Sequence, residues 1–210
     1  MSGSEQRLPD DAVLVRAACA GDRSAFGGLY DRYARMVHGI LLARVPPADV
    51  DDLVQDVFLR ALPRLAHLRD AKLFGPWLAA ITRNIANDHY RLTKPVAEIT
   101  ESLSDDEAQE PAAPRVPQEE AVMILEVVRN LPEAYRETLI LRLVEGMTGP
   151  EIAARTALTP GSVRVNLHRG MQQLREKLAE LAVRRAPRTE GRTGGAASPE
   201  KNVSRKRNEL

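Results

Sequence analysis

The sequence predicts an all-α protein with two small helical domains joined by a flexible acidic linker. Apolar residues recur at helical spacing in two blocks, roughly 8–93 and 118–183. The stretch between them, 94–117, is rich in proline and acidic residues, which favour neither helix nor sheet. Aromatic residues make up only 4% of the 210 residues, which disfavours a large β-sandwich or barrel.

The composition of the chain disfavours several classes of function. The net charge is +1, so any nucleic-acid binding must come from local clusters of charge. The single cysteine, Cys19, excludes an internal disulfide and a cysteine-rich zinc site. With no signal-peptide pattern and no long apolar run, we expect a cytoplasmic protein.

The first block is predicted to hold four helices. The first helix begins at Asp10 and ends at Gly21. Asp22 is suited to cap the second helix, which runs through Arg44 and is stopped by the two prolines that follow.

The third helix combines an apolar stripe with an acidic face. Asp49 is the predicted cap, and Pro63 ends the helix. The stripe consists of Val50, Leu53, Val54, Val57, Phe58, Ala61 and Leu62. On the opposite side, Asp52 and Asp56 are like charges one turn apart, a pair that destabilises an isolated helix by a few tenths of a kcal/mol. A solvated acidic face and a protein-docking surface are both compatible with this pattern.

The fourth helix has a polar face suited to unpaired nucleic acid. After a loop at about 63–75, it begins with Pro76 in its first turn. Its predicted buried face consists of Trp77, Leu78, Ile81, Ile85 and Leu92. The polar and aromatic stripe consists of Arg83, Asn84, Asn87, Tyr90 and Arg91. Such side chains stack on bases and contact phosphates. Trp77 fits the core better than a base-stacking role.

The second block is also predicted to hold four helices. The first spans about 118–129. Pro132 lies in the first turn of the second helix, which Gly146 ends. Thr148 and Glu151 have the spacing of a capping box at the start of a short third helix.

The last two helices have the pattern of a helix-turn-helix. Pro150–Thr156 is followed by a tight turn and by a long basic helix that Thr159 caps. Ala153 is small enough for the two helices to cross closely, while Val163 and Leu167 face inward. The outward face carries Ser162, Arg164, Val165, Asn166, His168 and Arg169, with Arg175 and Lys177 further along. Arginine and asparagine are suited to the edges of guanine and adenine, although a plain helical hairpin with a solvated basic face is the alternative.

Four segments in this order resemble the sigma-70 family of RNA polymerase sigma factors, in particular its extracytoplasmic-function group. Asp52-Leu-Val-Gln-Asp-Val-Phe58 is similar to the hallmark of the family's region two, and 77–91 resembles the helix that follows it. Leu131-Pro-Glu-Ala-Tyr-Arg-Glu137 and 161–169 resemble the two ends of region four.

The resemblance implies a role for each surface. Asp52, Gln55, Asp56 and Phe58 would contact core RNA polymerase at the clamp coiled coil of its largest subunits. The flap of the polymerase is a second expected partner site, to which no residue of the chain is assigned. The loop at 63–75 and the polar face of the fourth helix would open and hold the −10 element as a single strand. The helix from Pro160 would read the −35 element as a duplex. The resemblance implies no catalytic residue, metal or cofactor, and it allows for an anti-sigma factor as a further partner.

The chain departs from the family pattern at several positions. Ala157 stands where the turn glycine is usual, and a left-handed alanine costs about 1 kcal/mol. Asn166 occupies a position that is often basic, and Gly149-Pro150 replaces a more helix-forming pair. These differences bear on the turn geometry and on the −35 sequence that is read.

Two other functions fit parts of the sequence less well. A helix-turn-helix regulator acting without polymerase would leave the acidic face and the fourth helix unexplained. An enzyme is disfavoured because the histidines, His38, His67, His89 and His168, have no metal-ligand spacing and no nucleophile motif is present. The tail at 184–210 is basic and lacks apolar periodicity, so we expect it to be disordered.

Overall fold

The computed structural model describes residues 10–97 and 118–185 of the chain, and its side chains over 10–92 and 120–184. Every regular element in these two segments is helical, which confirms the all-α prediction. The helices are α1 (Asp11–Cys19), α2 (Arg23–Leu42), α3 (Val50–Ala61), α4 (Phe74–Ala97), α5 (Gln118–Arg129), α6 (Glu133–Leu143), α7 (Gly149–Thr156) and α8 (Pro160–Arg185). None of the described helices is long and apolar enough to cross a membrane. The predicted acidic linker beyond Ala97 and the predicted basic tail beyond Arg185 lie outside these segments.

Helices α1 to α4 pack around α2, which contacts the other three. Asp22 caps α2 as predicted, because its carboxylate accepts hydrogen bonds from the backbone amides of Ser24 at 2.8 Å and Ala25 at 3.1 Å. The centre of this bundle is fully buried and consists of Leu29, Met36, Ile40, Val57, Phe74 and Leu78.

Three details of the first block differ from the sequence prediction. Asp49 is the N-cap residue of α3 as predicted, but its side chain makes no capping hydrogen bond: the residue closes a 3₁₀ turn, Pro47–Asp49, and its carboxylate lies 3.3 Å from His89 on α4. The segment predicted as a loop contains two further 3₁₀ helices, at 62–67 and 71–73. Leu92 is 79% exposed, because α4 has passed the end of the bundle there, so this residue does not belong to the core.

Helices α5 to α8 form the second bundle. Its buried side chains include Leu139, Ile140, Ile152, Val163 and Leu174. Pro132 is the residue before α6 rather than a member of its first turn. Gly146 has a φ of +66° in the connection between α6 and α7, which agrees with its predicted role in ending the helix.

The two bundles also pack against each other, α2 on α6 and α4 on α7. The closest approach is at Gly39 of α2, where an added Cβ atom would fall 2.7 Å from a methyl group of Leu141 and 2.8 Å from Cγ of Glu145. A side chain at this position would therefore displace the Leu141 and Glu145 side chains or the helices that carry them. The packing of the two bundles depends on contacts between residues far apart in the sequence, which helical periodicity does not reveal.

Candidate nucleic-acid interface and docking surfaces

The helix-turn-helix has local hydrogen bonds at the start of each of its two helices. The hydroxyl of Thr148 accepts from the Glu151 amide at 3.4 Å, and the Glu151 carboxylate accepts from the Thr148 amide at 2.8 Å, which completes the predicted capping box. The Glu151 carboxylate also accepts from the Thr148 hydroxyl at 2.7 Å, and the two hydrogen bonds that it accepts from Thr148 lower the pKa of Glu151 below its usual range. Ala157 ends α7 with a φ of +66°, so the left-handed turn forms although the residue is alanine.

The start of α8 is fixed by Thr159. Its hydroxyl accepts from the Ser162 amide at 3.1 Å and lies 2.8 Å from the Ser162 hydroxyl. Val163 is buried, whereas Ala153 and Leu167 are half-buried and line a groove of about 610 Å³ between α7 and α8. The helix is therefore anchored through Val163, and a shallow apolar groove remains on the side of Ala153.

Most of the residues predicted to read duplex DNA lie on one exposed face of α8. The exposed members of this set are Ser162, Arg164, Val165, His168 and Arg169. Asn166 is half-buried at the edge of the face, and the hydroxyl of Ser162 is engaged at the cap. Arg175 is exposed three turns after Arg164, while Lys177 is half-buried. The open part of the face is thus dominated by arginine and histidine.

The polar stripe of α4 is divided between solvent and the second bundle. The exposed members are Asn84, Asn87, Tyr90 and Arg91. Arg83, by contrast, donates to the two carboxylate oxygens of Glu137 at 2.6 and 3.1 Å and to the backbone carbonyl of Thr156 at 3.1 Å. Trp77 is half-buried with its ring centroid 5.8 Å from that of Phe74, as its expected core role requires.

The acidic face of α3 is open, but one of the four residues assigned to it lies beneath it. Asp52 and Gln55 are exposed, and Asp56 is half-buried. Phe58 is only 3% exposed, and its ring packs against Tyr30 at a centroid distance of 4.6 Å. In this conformation Phe58 supports the face through the core and does not present its ring to a partner.

Leu59 is a surface residue that the apolar stripe did not include. It is 68% exposed and follows Asp52, Gln55 and Asp56 at helical spacing, so it lies on the acidic face itself. Its position seven residues, or two helical turns, after Asp52 could have placed it on the acidic face from the sequence alone. An exposed leucine framed by acidic side chains is typical of protein-binding surfaces, where an apolar centre has a polar rim.

Four residues form an ion cluster between the bundles, Arg44, Arg83, Glu133 and Glu137. Arg44 donates to Glu137 at 2.9 Å and also pairs with Glu133. Burial opposes ionisation of Glu137, but the hydrogen bonds and charges of Arg83 and Arg44 outweigh it and keep the pKa of this carboxyl below its usual range. Glu137 is therefore an ionised carboxylate in a buried position, 5% exposed, held by two guanidinium groups.

Two further polar contacts join the bundles. Arg155 of α7 donates to the carbonyl of Arg32 at 2.9 Å, and its guanidinium carbon lies 5.3 Å from the centroid of the Tyr33 ring. His38 of α2 lies 2.6 Å from a carboxylate oxygen of Glu145, and this hydrogen bond raises the pKa of His38 although burial opposes it.

Two arginines of the second bundle bind the end of α2. Arg129 donates to the carbonyl of Val45 at 2.7 Å, and Arg136 donates to that of Ala43 at 3.1 Å. These carbonyls follow the last turn of α2, where the helix dipole favours positive charge. Burial and the neighbouring Arg136 lower the pKa of Arg129. None of these contacts was foreseen from the sequence.

Both helical bundles match known protein families. Residues 29–95 match the family profile of Sigma-70 region 2, and residues 121–174 match that of Sigma-70, region 4. The RNA polymerase sigma factor CarQ of Myxococcus xanthus is 33% identical over 165 residues, which cover 77% of this chain and 93% of CarQ. The probable RNA polymerase sigma factor RfaY of Xanthomonas campestris is also 33% identical, over 81% of this chain, but the match spans only 45% of RfaY.

Among solved structures, the chain is similar to CnrH, determined in complex with the cytosolic domain of CnrY. The TM-score is 0.58 at 26% sequence identity, and the likeness covers 82% of this chain and 99% of CnrH. The two family profiles fall one in each helical bundle of the chain.

Proposed function

Because the chain belongs to the sigma-70 family of RNA polymerase sigma factors, in the extracytoplasmic-function group, we propose that it binds core RNA polymerase and directs transcription initiation at specific promoters. The observation that carries this proposal is the presence, in one chain and in the family's order, of three exposed faces with different chemistry. They are the acidic face of α3, the polar and aromatic face of α4 and the basic face of α8.

The first domain, 8–93, would dock on polymerase through α3. Asp52, Gln55 and Asp56 would contact the clamp coiled coil of the largest subunit, with Leu59 as the apolar centre of the contact. Acidic side chains here would meet basic ones on the polymerase, which fixes the register of the complex.

The face of α4 would hold the −10 element after the strands separate. Asn84, Asn87, Tyr90 and Arg91 are exposed along the helix, and together they offer a ring for stacking, amides for base edges and a guanidinium for phosphate. The adjacent segment 63–75, with its two 3₁₀ helices, would contribute the remaining contacts.

The second domain, 118–183, would read the −35 element with the first turns of α8 in the major groove and would contact the flap of polymerase. Arg164 has the exposure and the chemistry to pair with a guanine edge, while His168 and Arg169 lie on the same open face. Asn166, which is half-buried, would reach a base only from the edge of the groove.

The alternative of a helix-turn-helix regulator that acts without polymerase is not favoured, because the region 2 match covers the part of the chain that such a regulator would not need. Sigma factors are initiation factors and not enzymes, and the chain is not an enzyme. RNA synthesis would belong to the polymerase, while this subunit performs recognition and strand opening.

Partners and location follow from the same proposal. Polymerase and promoter DNA are in the bacterial cytoplasm, so we place the chain there. CnrH was solved in complex with a cytosolic domain of another protein, and an anti-sigma factor is accordingly a further partner that we propose for this chain.

The proposal is tested by binding to purified core polymerase. A sigma factor would co-purify with the core enzyme and compete with another sigma factor for it, whereas a regulator acting alone would bind DNA and leave the core enzyme unoccupied. Failure of the full-length chain to associate with core polymerase at micromolar concentration would contradict the proposal.

A further inference from the structure

The ion cluster contains two arginines of the first bundle that converge on one carboxylate of the second. Arg44 and the Nε atom of Arg83 both donate to the same oxygen of Glu137, at 2.9 and 3.1 Å, while a second nitrogen of Arg83 binds the other oxygen at 2.6 Å. Arginine forms paired hydrogen bonds of this kind with carboxylate and with phosphate, since both anions offer two oxygens that fit the planar guanidinium group.

The position of this arginine pair points to nucleic acid. Arg83 lies four residues before Asn87 and eight before Arg91, so all three share one side of α4. Arg44, which follows the end of α2, lies beside Arg83 because both bind the same oxygen of Glu137. Its Nε atom is buried and has no hydrogen-bond partner, so the carboxylates leave part of its donor capacity unused.

The packed arrangement cannot engage both promoter elements at once. Helix α4 contacts α7, which contacts α8, and packed helices lie about 8–10 Å apart, so α4 and α8 are separated by roughly 20 Å. The −35 and −10 elements are about 25 base pairs apart, or about 85 Å of duplex at 3.4 Å per base pair. Promoter binding therefore requires the bundles to separate, which removes Glu137 from Arg44 and Arg83.

We infer that Arg44 and Arg83 form a phosphate clamp for the DNA backbone next to the −10 strand, and that Glu137 occupies this clamp while the two bundles are packed together. The inference rests on the proposed function for the identity of the DNA. Glu137 acts as a latch, because its carboxylate takes the place of a DNA phosphate. Packing of the two bundles against each other and binding of the DNA backbone by the clamp therefore exclude each other.

The latch is tested by a distance measurement on the full chain. Cys19 of α1 is exposed and is the only cysteine, so a second label at Gln172→Cys on α8 reports the separation of the bundles by pulsed electron paramagnetic resonance. The expected result is a single short distance for the parent chain and a broad, longer distribution for Glu137→Gln. Glu133→Gln removes an equal charge from an exposed partner of Arg44 and should retain the short distance.

A second variant opens the bundles without touching the cluster. Gly39→Leu places a side chain against Leu141 and Glu145 and should separate the bundles while all four ionic residues remain. Because leucine is a good helix former, α2 should be preserved, which circular dichroism checks. Gly39→Leu thus keeps the test available if Glu137→Gln does not fold.

The clamp is tested with a labelled single-stranded oligodeoxynucleotide of arbitrary sequence, in the absence of polymerase. Each additional phosphate contact steepens the plot of log affinity against log salt by about 0.7 for a single strand. Glu137→Gln and Gly39→Leu should both become steeper by about this amount, and Arg44→Ala added to either should restore the parent slope. Arg60→Ala on α3, an exposed arginine outside the cluster, should leave the steeper slope unchanged.

Each outcome bears on a different claim. A short distance retained in Glu137→Gln would overturn the latch, and opening without a steeper slope would overturn the clamp. Neither result depends on promoter-directed initiation. If the parent chain fails to bind core polymerase, the proposed function falls while the distance and salt results still stand.

Discussion

The faces of α4 and α8 both carry arginine and asparagine, yet they differ in what covers them. On α8, Arg164, His168 and Arg169 are exposed on a helix whose opposite side is anchored by Val163. On α4, Arg83 belongs to the same stripe as the exposed asparagines but is held by Glu137 from the other bundle.

This difference shows that the chemical character of a helix face and its accessibility to a ligand are determined separately. Residue types and spacing identify a face that could contact nucleic acid, and they do so equally well for α4 and α8. Whether the face is open depends on a partner more than fifty residues away, which local patterns do not encode. We therefore expect α8 to be ready for DNA in the packed structure and α4 to be only partly so.

The largest effect is expected on a third face, the acidic one on α3, which is open like that of α8. Asp52→Lys combined with Asp56→Lys should weaken core polymerase binding by more than about a hundredfold, because like charges would face each other across the contact. Competition binding measures this. Glu176→Lys with Glu180→Lys, an exposed pair of equal spacing on α8, is the matched control. If the α3 variant competes for core polymerase as well as the wild-type chain does, α3 is not the docking surface.

The next largest effect concerns Glu137, which holds Arg83 of the α4 face. Glu137→Gln should reduce the free energy of unfolding by roughly 3 kcal/mol, since two guanidinium groups lose a buried carboxylate. Glu133→Gln should cost less than about 1 kcal/mol, because the Glu133 side chain is 63% exposed. Urea unfolding of both variants provides the comparison. Equal, small losses would mean that the cluster contributes little to the packing of the bundles.

A smaller effect is expected for single contacts on α8. Arg164→Ala should lose roughly 1–3 kcal/mol for the preferred −35 duplex and relax the choice at one base pair. Arg175→Ala should weaken all sequences alike and reduce the salt dependence, because it lies three turns further along the helix. Competition among single-base variants of the duplex distinguishes these results. Unaltered base preference in Arg164→Ala would indicate that the whole face binds phosphates only.

The smallest effect is a pH dependence of the free energy of unfolding, caused by a contact between the two bundles. The pKa of His38 is raised by its hydrogen bond to Glu145, with Asp51 as a further facing acid and Arg35 as a nearby base on the same helix. The stabilisation is fully present below the unfolded pKa of about 6.5 and is lost as the pH rises through the higher folded value. Unfolding free energy should therefore fall between about pH 6 and pH 8 by less than about 1 kcal/mol. His38→Gln should be flat over this interval, and an identical slope in that variant would assign the effect elsewhere.

Much of the fold was predictable because the signals that define a helix, its caps and its apolar periodicity, lie within a short stretch of sequence. The caps at Asp22 and Thr148 and the periodic core residues of α3 and α8 all act within a few turns of the chain. The misplacements share a cause. The Asp49 carboxylate lies against His89 and makes no capping hydrogen bond to α3, and Leu92 extends past the bundle, so in both cases a tertiary neighbour or its absence decides the outcome.

The candidate sites were predictable in kind but not in detail. Arg83 and Phe58 have the residue types that their roles suggest, yet one is paired across the bundles and the other is buried under α3. Leu59 was overlooked because an exposed leucine lies outside the stripe that periodicity selects. Arg44 carried no signal at all, because its significance depends on Glu137, which lies in the second bundle.

The most direct measurement of promoter-directed initiation is sequencing of transcripts made from a randomised promoter library by core polymerase with and without the full-length chain. We expect that addition of the chain confines initiation to templates sharing two sequence motifs at a fixed spacing, and that Arg164→Ala alters the upstream motif. Start sites indistinguishable from those of core polymerase alone would contradict it.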